Sequence, residues 1–350
     1  MNDVRRTQSC GLPSLQPAKI TCSPVAQHPL PTGDALLPDN GEFSAKFNRQ
    51  DFMFDHGLAL HPMFERPALA ELARRIPKFK DFVYWQNGPV KVNDKWGANP
   101  GKRLSLEDTV AGIAENDSLV ILKHAEQDAI YGPVLREILQ RIYSFTAATA
   151  QADIVLGESL IFLNSPNRKT AYHLDLESNF LLQIRGEKFV HVFDCADRSL
   201  TPHQELENFC HGDANGAIYK PDRQKDAHYH HLTPGHGVHF PSTAPHWVQN
   251  GDEVSVSINI NFDLISIHRR MKRVYRVNRM IRRLGVDPTG PGISPLRDMV
   301  KEKLSLSAGA VLDTLRPAAR KRQNPEAYPV WRPTPMARPT GAKNHRAPPT

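Results

Sequence analysis

The sequence predicts a mainly β domain, an antiparallel sandwich or barrel, with flanking helices. Two observations lead there. From Ile154 to Phe262 short apolar runs alternate with polar turns, the spacing of an antiparallel sandwich or barrel. On either side of that stretch, apolar residues recur at helical spacing instead. A third observation bounds the domain: six prolines fall in residues 1–45 and eight in residues 316–350, so both ends read as disordered tails.

Between the tails, residues 46–150 form a mixed α/β flank. Pro67 to Ile76 has an apolar helical stripe that stops before Pro77. Asp81 to Trp85 is aromatic and β-branched, which suits a strand. Ser105 to Ala114 is a second helix, opened by a serine cap with acids in its first turn. Ser118 to Lys123 is a short strand, and Ile130 to Phe145 a third helix with Val134, Ile138 and Ile142 in register. The barrel, residues 151–263, holds strands at 158–163, 170–174, 180–185, 188–193, 237–240 and 254–262. A basic helical arm, 264–315, has helices over 264–284 and 296–315.

The net charge of +7 belongs to one end of the chain. From Asp263 onward there are 19 Lys/Arg against 6 Asp/Glu, a balance of +13, which leaves −6 for the rest. Four cysteines without CxxC spacing suit free thiols in a reducing compartment, so a cytoplasmic location is expected. The opening Met1-Asn-Asp-Val-Arg-Arg leads into no apolar run, so no signal peptide is expected, and no apolar run is long enough for a membrane span.

Chemistry concentrates in two stretches, Thr170 to Phe193 and Gly235 to Asn250. On a strand, residues i and i+2 share a face, so His173 and Asp175 can aim at one point with Leu174 turned away. His246, in Ala-Pro-His-Trp-Val at the start of another strand, supplies a third donor. Two histidines and a carboxylate with open positions form the facial triad of non-haem iron(II) oxygenases. A lone HxD is a weak signal; the surroundings carry it. Lys188 shares a face with Val190 and Val192, and a lysine inside a small barrel is costly unless an anion meets it. The alternative has that face outside, or the ammonium reaching water. In Val254 to Phe262, Ser255, Ser257, Asn259 and Asn261 occupy one face. The default places that face in solvent. His228-Tyr-His-His231 reads as a solvated loop between strands without an accompanying carboxylate, and Tyr84 and Trp85 as core.

The two stretches resemble the motifs of the cupin superfamily. The first follows HxH-x3-E-x6-G as His173, Asp175, Asn179 and Gly186; the second follows G-x5-P-x-G-x2-H-x3-N as Gly235, Pro241, Thr243, His246 and Asn250. Aspartate replaces the second histidine, asparagine the glutamate, and threonine the third-position glycine. With HxD and Lys188 fifteen residues after His173, the chain looks like the JmjC or cupin-8 branch of 2-oxoglutarate oxygenases. It is most similar to the group of the asparaginyl hydroxylase that acts on hypoxia-inducible factor. The resemblance spans roughly residues 80–265. It implies a cupin-type double-stranded β-helix (jelly-roll) core and an Fe(II)- and 2-oxoglutarate-dependent dioxygenase that consumes O2. Position by position it makes His173, Asp175 and His246 the metal ligands. Lys188 and Thr170 would meet the distal carboxylate of 2-oxoglutarate, and Asn179 and Asn261 stand beside its metal-bound end. Hydroxylation of a peptide or protein side chain is the leading expectation, with demethylation chemically adjacent and a small-molecule substrate also open. A rival reading is a sensor or regulator that binds a metal or ligand without oxygenase chemistry and contacts nucleic acid through its arm; such a barrel needs neither Lys188 nor Thr170.

In the arm, Ile267, Met271, Val274, Ile281 and Leu284 lie near one helical stripe among eight arginines and lysines. Three destinations compete for it: the barrel or a second subunit, giving a homodimer through the C-terminal helices; phosphates of a nucleic acid; and an anionic membrane surface or plain solvent.

Overall fold

The computed structural model describes residues 28–76, 82–96, 104–315 and 331–332. A 3-10 turn at Gly33–Ala35 and helix α1 (Glu42–Lys46) precede strand β1 (Phe52–Asp55). Helix α2 (Arg66–Arg75), strand β2 (Val83–Asn87), helix α3 (Leu106–Ala111), strand β3 (Ser118–Leu122) and helices α4 (Gly132–Phe145) and α5 (Ala148–Gln151) follow. The Ser105 hydroxyl caps α3 by accepting from the Asp108 N–H at 3.0 Å, satisfying a first-turn donor that the helix cannot pair itself.

Eight strands then wind between two facing sheets: β4 (Ile154–Asn164), β5 (Lys169–His173), β6 (Ser178–Arg185), β7 (Lys188–Val192), β8 (His228–Leu232), β9 (His236–Phe240), β10 (His246–Asn250) and β11 (Ser255–Leu264). Helix α6 (His203–Cys210) is inserted between β7 and β8. One sheet runs β1-β9-β6-β11-β4-β3-β2, the other β5-β10-β7-β8, and neighbouring strands pair antiparallel in both. This winding is the jelly roll of a cupin-type double-stranded β-helix. A π-helical turn (Ser266–Met271) leads into helices α7 (Lys272–Arg282) and α8 (Pro295–Leu315).

The larger sheet is buried on both faces, which settles the question of its polar residues. Val256, Ile258, Ile260 and Phe262 of β11 and Phe180, Leu182 and Ile184 of β6 pack outward, under the N-terminal helices, with Phe43, Leu135 and Ile138. The intervening Ser255, Ser257, Asn259 and Asn261 turn into the barrel and are buried as well. The solvent default therefore does not hold, because helices cover the apolar side and the opposite sheet covers the polar one.

Two expectations are corrected. Residues 28–45, assigned to a tail, hold two helical turns and bury Leu36, Leu37 and Phe43 completely in the main core. Strands β1, β2 and β3 of the α/β flank extend the barrel's own sheet. His228-Tyr-His-His231 is strand β8, paired with β7, and it does have a carboxylate partner. Asp51 lies 2.8 Å from His228 Nδ1 and 2.6 Å from His230 Nε2. An edge strand with one wet face has no apolar alternation to announce it, and Asp51 is far away in sequence. The strand start expected at Asp81, and the segments 1–27, 316–330 and 333–350, lie outside the described residues.

Candidate functional site

The barrel opens at one end onto a cavity of about 400 Å³. His173 ends β5 and His246 begins β10, and the antiparallel ladder sets them opposite each other. Asp175 follows two residues after His173, just past the strand end. The three offer ligand atoms all within 4.8 Å of one another: His173 Nε2 stands 3.9 Å and His246 Nε2 3.6 Å from the Asp175 carboxylate.

Each imidazole is held by the nitrogen it does not turn to the centre. His173 Nδ1 lies 2.8 Å from the Ala171 carbonyl and His246 Nδ1 3.0 Å from the Ala244 carbonyl. A carbonyl only accepts, so each Nδ1 carries a proton and each Nε2 faces the centre, the orientation in which a neutral imidazole offers its lone pair to a metal. Burial, reinforced by the neighbouring His173, drives the His246 pKa well below the ordinary histidine value, which keeps its ring neutral. Burial pushes the Asp175 carboxyl upward, with His173 opposing and Glu177 adding to the rise. Two aromatic rings fix the imidazoles in place: Trp96 stacks on His173 at 5.4 Å and Phe240 packs on His246 at 4.4 Å.

The loop before β10 is fastened to the same centre. Thr243 has φ +61°, a left-handed conformation that a β-branched residue rarely takes, and its N–H donates to the Asp175 carbonyl at 2.8 Å. This is the position where the resembling motif has glycine.

Lys188 opens β7, opposite Asn250 of β10, while His246 pairs with Val192 at the other end of the same ladder. Four residues separate the two levels, about 13 Å along the strands. Lys188 therefore stands on the cavity floor and the triad at its mouth. Its side chain turns inward with Val190 and Val192 and is 4% exposed. Among the described residues no carboxylate or hydrogen-bond acceptor meets its ammonium, and the ring of Phe162 lies 5.9 Å away. Burial alone lowers its pKa to about 7. Thr170 lines the same cavity from β5, on the other side of β10, its backbone opposite Val248.

Asn179 and Asn261 face each other across β6 and β11 with Glu158 of β4 on the same rung. The amides form a chain: Asn261 Nδ2 donates to Glu158 at 3.4 Å, and Asn259 Nδ2 donates to both Asn261 Oδ1 at 2.8 Å and Asn179 Oδ1 at 2.9 Å. Asn259 and Asn261 line the cavity directly; Asn179 braces them from behind and anchors on the Glu177 carbonyl at 3.0 Å.

Sequence reasoning missed the rim. Lys123, Glu158 and Glu177 line the mouth, and His124 lies 3.4 Å from Glu158 and 3.7 Å from Glu126. Burial, supported by the carboxylates of Glu177 and Glu126 and opposed by His124 and Lys123, raises the Glu158 pKa. Trp96 was also missed. Its loop is tied to the segment after α6, where its N–H donates to Asn215 Oδ1 at 2.6 Å, and its ring stacks on Tyr84 at 5.8 Å. Tyr84 packs against the Leu119, Ile121 and Leu160 cluster, as expected of a core residue, and backs Trp96 from there. Lys123, Glu158 and Trp96 reach the cavity through pairings distant in sequence, whereas Glu177 lies two residues past Asp175.

No protein-family model matches the chain, and no curated protein matches it. Among solved structures it is similar to ycfD of Escherichia coli, with 13% identity over 78% of this chain and 66% of that one and a TM-score of 0.44. It spans just under two thirds of that relative's length. It is also similar to the ribosomal oxygenase YcfD of the same organism in complex with cobalt and 2-oxoglutarate, at 12% identity, 78% and 67% coverage and a TM-score of 0.42. The succinic acid complex of that protein compares at 13%, 81%, 69% and 0.41.

Proposed function

We propose that the protein is an Fe(II)- and 2-oxoglutarate-dependent oxygenase that hydroxylates a peptide or protein side chain. The observation that carries this reading is Lys188, a buried amine that meets no counter-charge among the described residues, on the floor of a cavity whose mouth holds two imidazoles and a carboxylate. Such a cation is costly in isolation and is relieved by an anion. A dicarboxylate that reaches from the floor to the mouth supplies one.

The donor set fits a divalent iron: His173 Nε2, His246 Nε2 and an Asp175 oxygen would hold one face and leave the cavity side open. When bound, iron and 2-oxoglutarate supply the oxidising chemistry, with succinate and CO2 as by-products. The chain supplies position. The Ala171 and Ala244 carbonyls keep both imidazoles in the ligating tautomer. Lys188 and the Thr170 hydroxyl, which line the same cavity, would receive the distal carboxylate, and Asn259 and Asn261 offer amides to the near end. Leu119, Ile121, Leu160 and Phe162 wall the space and exclude water. Lys123, Glu158 and Glu177 give an incoming side chain charged partners at the mouth. A metal-binding barrel without cosubstrate leaves Lys188 unexplained.

The test is succinate formation from 2-oxoglutarate by the purified protein with Fe(II) and ascorbate under air, alongside His173→Ala and Lys188→Ala, with anaerobic binding of metal and 2-oxoglutarate measured in parallel. Turnover or cosubstrate binding that both substitutions abolish supports the reading. Metal binding without 2-oxoglutarate binding overturns it.

A further inference from the structure

Helix α8 is packed with its polar side inward. Asp298, Lys301 and Ser305 are buried beside α7, where Lys301 Nζ donates to the Thr289 carbonyl at 2.7 Å and Asp298 accepts the Gly292 N–H at 2.7 Å. Outward it shows Leu296, Met299, Val300, Leu304 and Leu306, each at least 47% exposed. Among the described residues, nine of the fifteen large apolar side chains left exposed fall between Met280 and Leu306. Scattered exposed apolar residues are ordinary, whereas a concentration on one element marks a contact surface.

The same arm carries a row of cations. Arg269, Arg273, Arg276 and Arg283 recur at spacings of three, four and seven on the outer side of the π turn and α7, and no carboxylate pairs with them among the described residues. The sequence that follows α8 continues the theme. Residues 316–350 hold eight Lys/Arg against the single Glu326.

Charge and apolarity together select the occupant. The sequence after α8 offers few large apolar residues to match that face, Tyr328, Val330, Trp331 and Met336, and Trp331 is seated against Gly157 and Phe262 of the barrel. A second copy would set one strongly basic arm against another. A nucleic acid would satisfy the arginines and leave five apolar side chains in water. An anionic lipid surface answers both features: headgroups pair with the cations while the apolar face enters the acyl boundary. We propose that the α7–α8 arm docks the protein on an anionic bilayer surface, with α8 lying in the interface plane. Its 21 residues extend about 31 Å along that plane.

The experiment is co-sedimentation of the full chain with phosphatidylcholine vesicles, with and without phosphatidylglycerol, at low and high salt. It compares the wild type with Leu296→Ser/Val300→Ser and with Arg273→Gln/Arg276→Gln, and light scattering reports the mass of each in solution. All four positions lie away from the cavity and the core, and each variant's circular dichroism is checked against the wild type. Binding is expected to be at least about tenfold stronger with phosphatidylglycerol, weakened by salt, and reduced in both variants. Retained binding by the Leu296→Ser/Val300→Ser variant overturns the proposal, because charge alone then suffices. Absence of vesicle binding, with a dimer that this variant dissociates, overturns it in favour of an interface between copies.

Discussion

His173 and His246 lie directly opposite each other on adjacent strands, with ring centroids 4.1 Å apart. Each reaches that point from a strand end, and each is aimed by a carbonyl two residues before it. The centre is thus built by ladder register, and a slip of one residue in either strand would turn that strand's ring away.

Removing one donor should therefore cost metal without costing the fold. His246→Ala and Asp175→Ala are each expected to weaken Fe(II) or Co(II) affinity by at least about 100-fold, read by anaerobic titration. Far-UV circular dichroism should be unchanged. Wild-type affinity in either variant would remove that residue from the donor set.

Lys188→Met should stabilise the free protein by about 1–4 kcal/mol, because it removes a buried charge without a partner. It should also abolish protection by 2-oxoglutarate in thermal unfolding. The pH dependence has a definite sign. The lysine pKa falls from 10.5 unfolded to about 7 folded, so between those values the unfolded chain holds the extra proton. The Lys188 contribution then makes stability rise with pH from about 7 to 10.5, and the Met variant should lose that rise. An identical pH profile in the two proteins would show that the ammonium is compensated.

Thr243 should be replaceable with profit. A β-branched residue at φ +61° carries backbone strain of order 1–3 kcal/mol, and glycine adopts that conformation freely. After the extra chain entropy of glycine is deducted, Thr243→Gly should gain about 1 kcal/mol in urea unfolding. The N–H to Asp175 is preserved, so metal affinity should hold. A destabilised variant would mean that the Thr243 side chain contributes more than its backbone costs.

Acid should unfold the protein partly through His239. It is fully buried on β9, its Nδ1 donates to the Asn179 carbonyl at 2.8 Å, and its Nε2 accepts the Asn48 N–H at 3.0 Å. Burial lowers its pKa to about 3, and burial takes His56 to about 4. Both must stay neutral in the fold while the unfolded chain protonates near 6.5. Their contribution is complete above 6.5 and is lost progressively as pH falls towards 3–4. His239→Gln should flatten that limb of a stability-versus-pH curve, at some cost at neutral pH. An unchanged limb would assign the acid sensitivity to other groups.

Much of this was written locally. The His173–Asp175 pair needs only the two-residue period of a strand, and Lys188 sits on the Val190 and Val192 face by the same rule. Helices α2, α3 and α4 follow from apolar spacing and, in α3, a serine cap. These are interactions of each segment with itself, or with a generic apolar interior. What only the tertiary structure decided is which face each sheet turns to whom. The polar side of β11 became the cavity wall because N-terminal helices cover its apolar side, and residues 28–45 joined the core because Phe43 and Leu36 fill space under the same sheet. Glu158, Trp96 and the Asp51–His230 pair met their partners through contacts that span tens to hundreds of residues. Strand pairing and sheet stacking set such contacts, and a local sequence pattern carries no record of them.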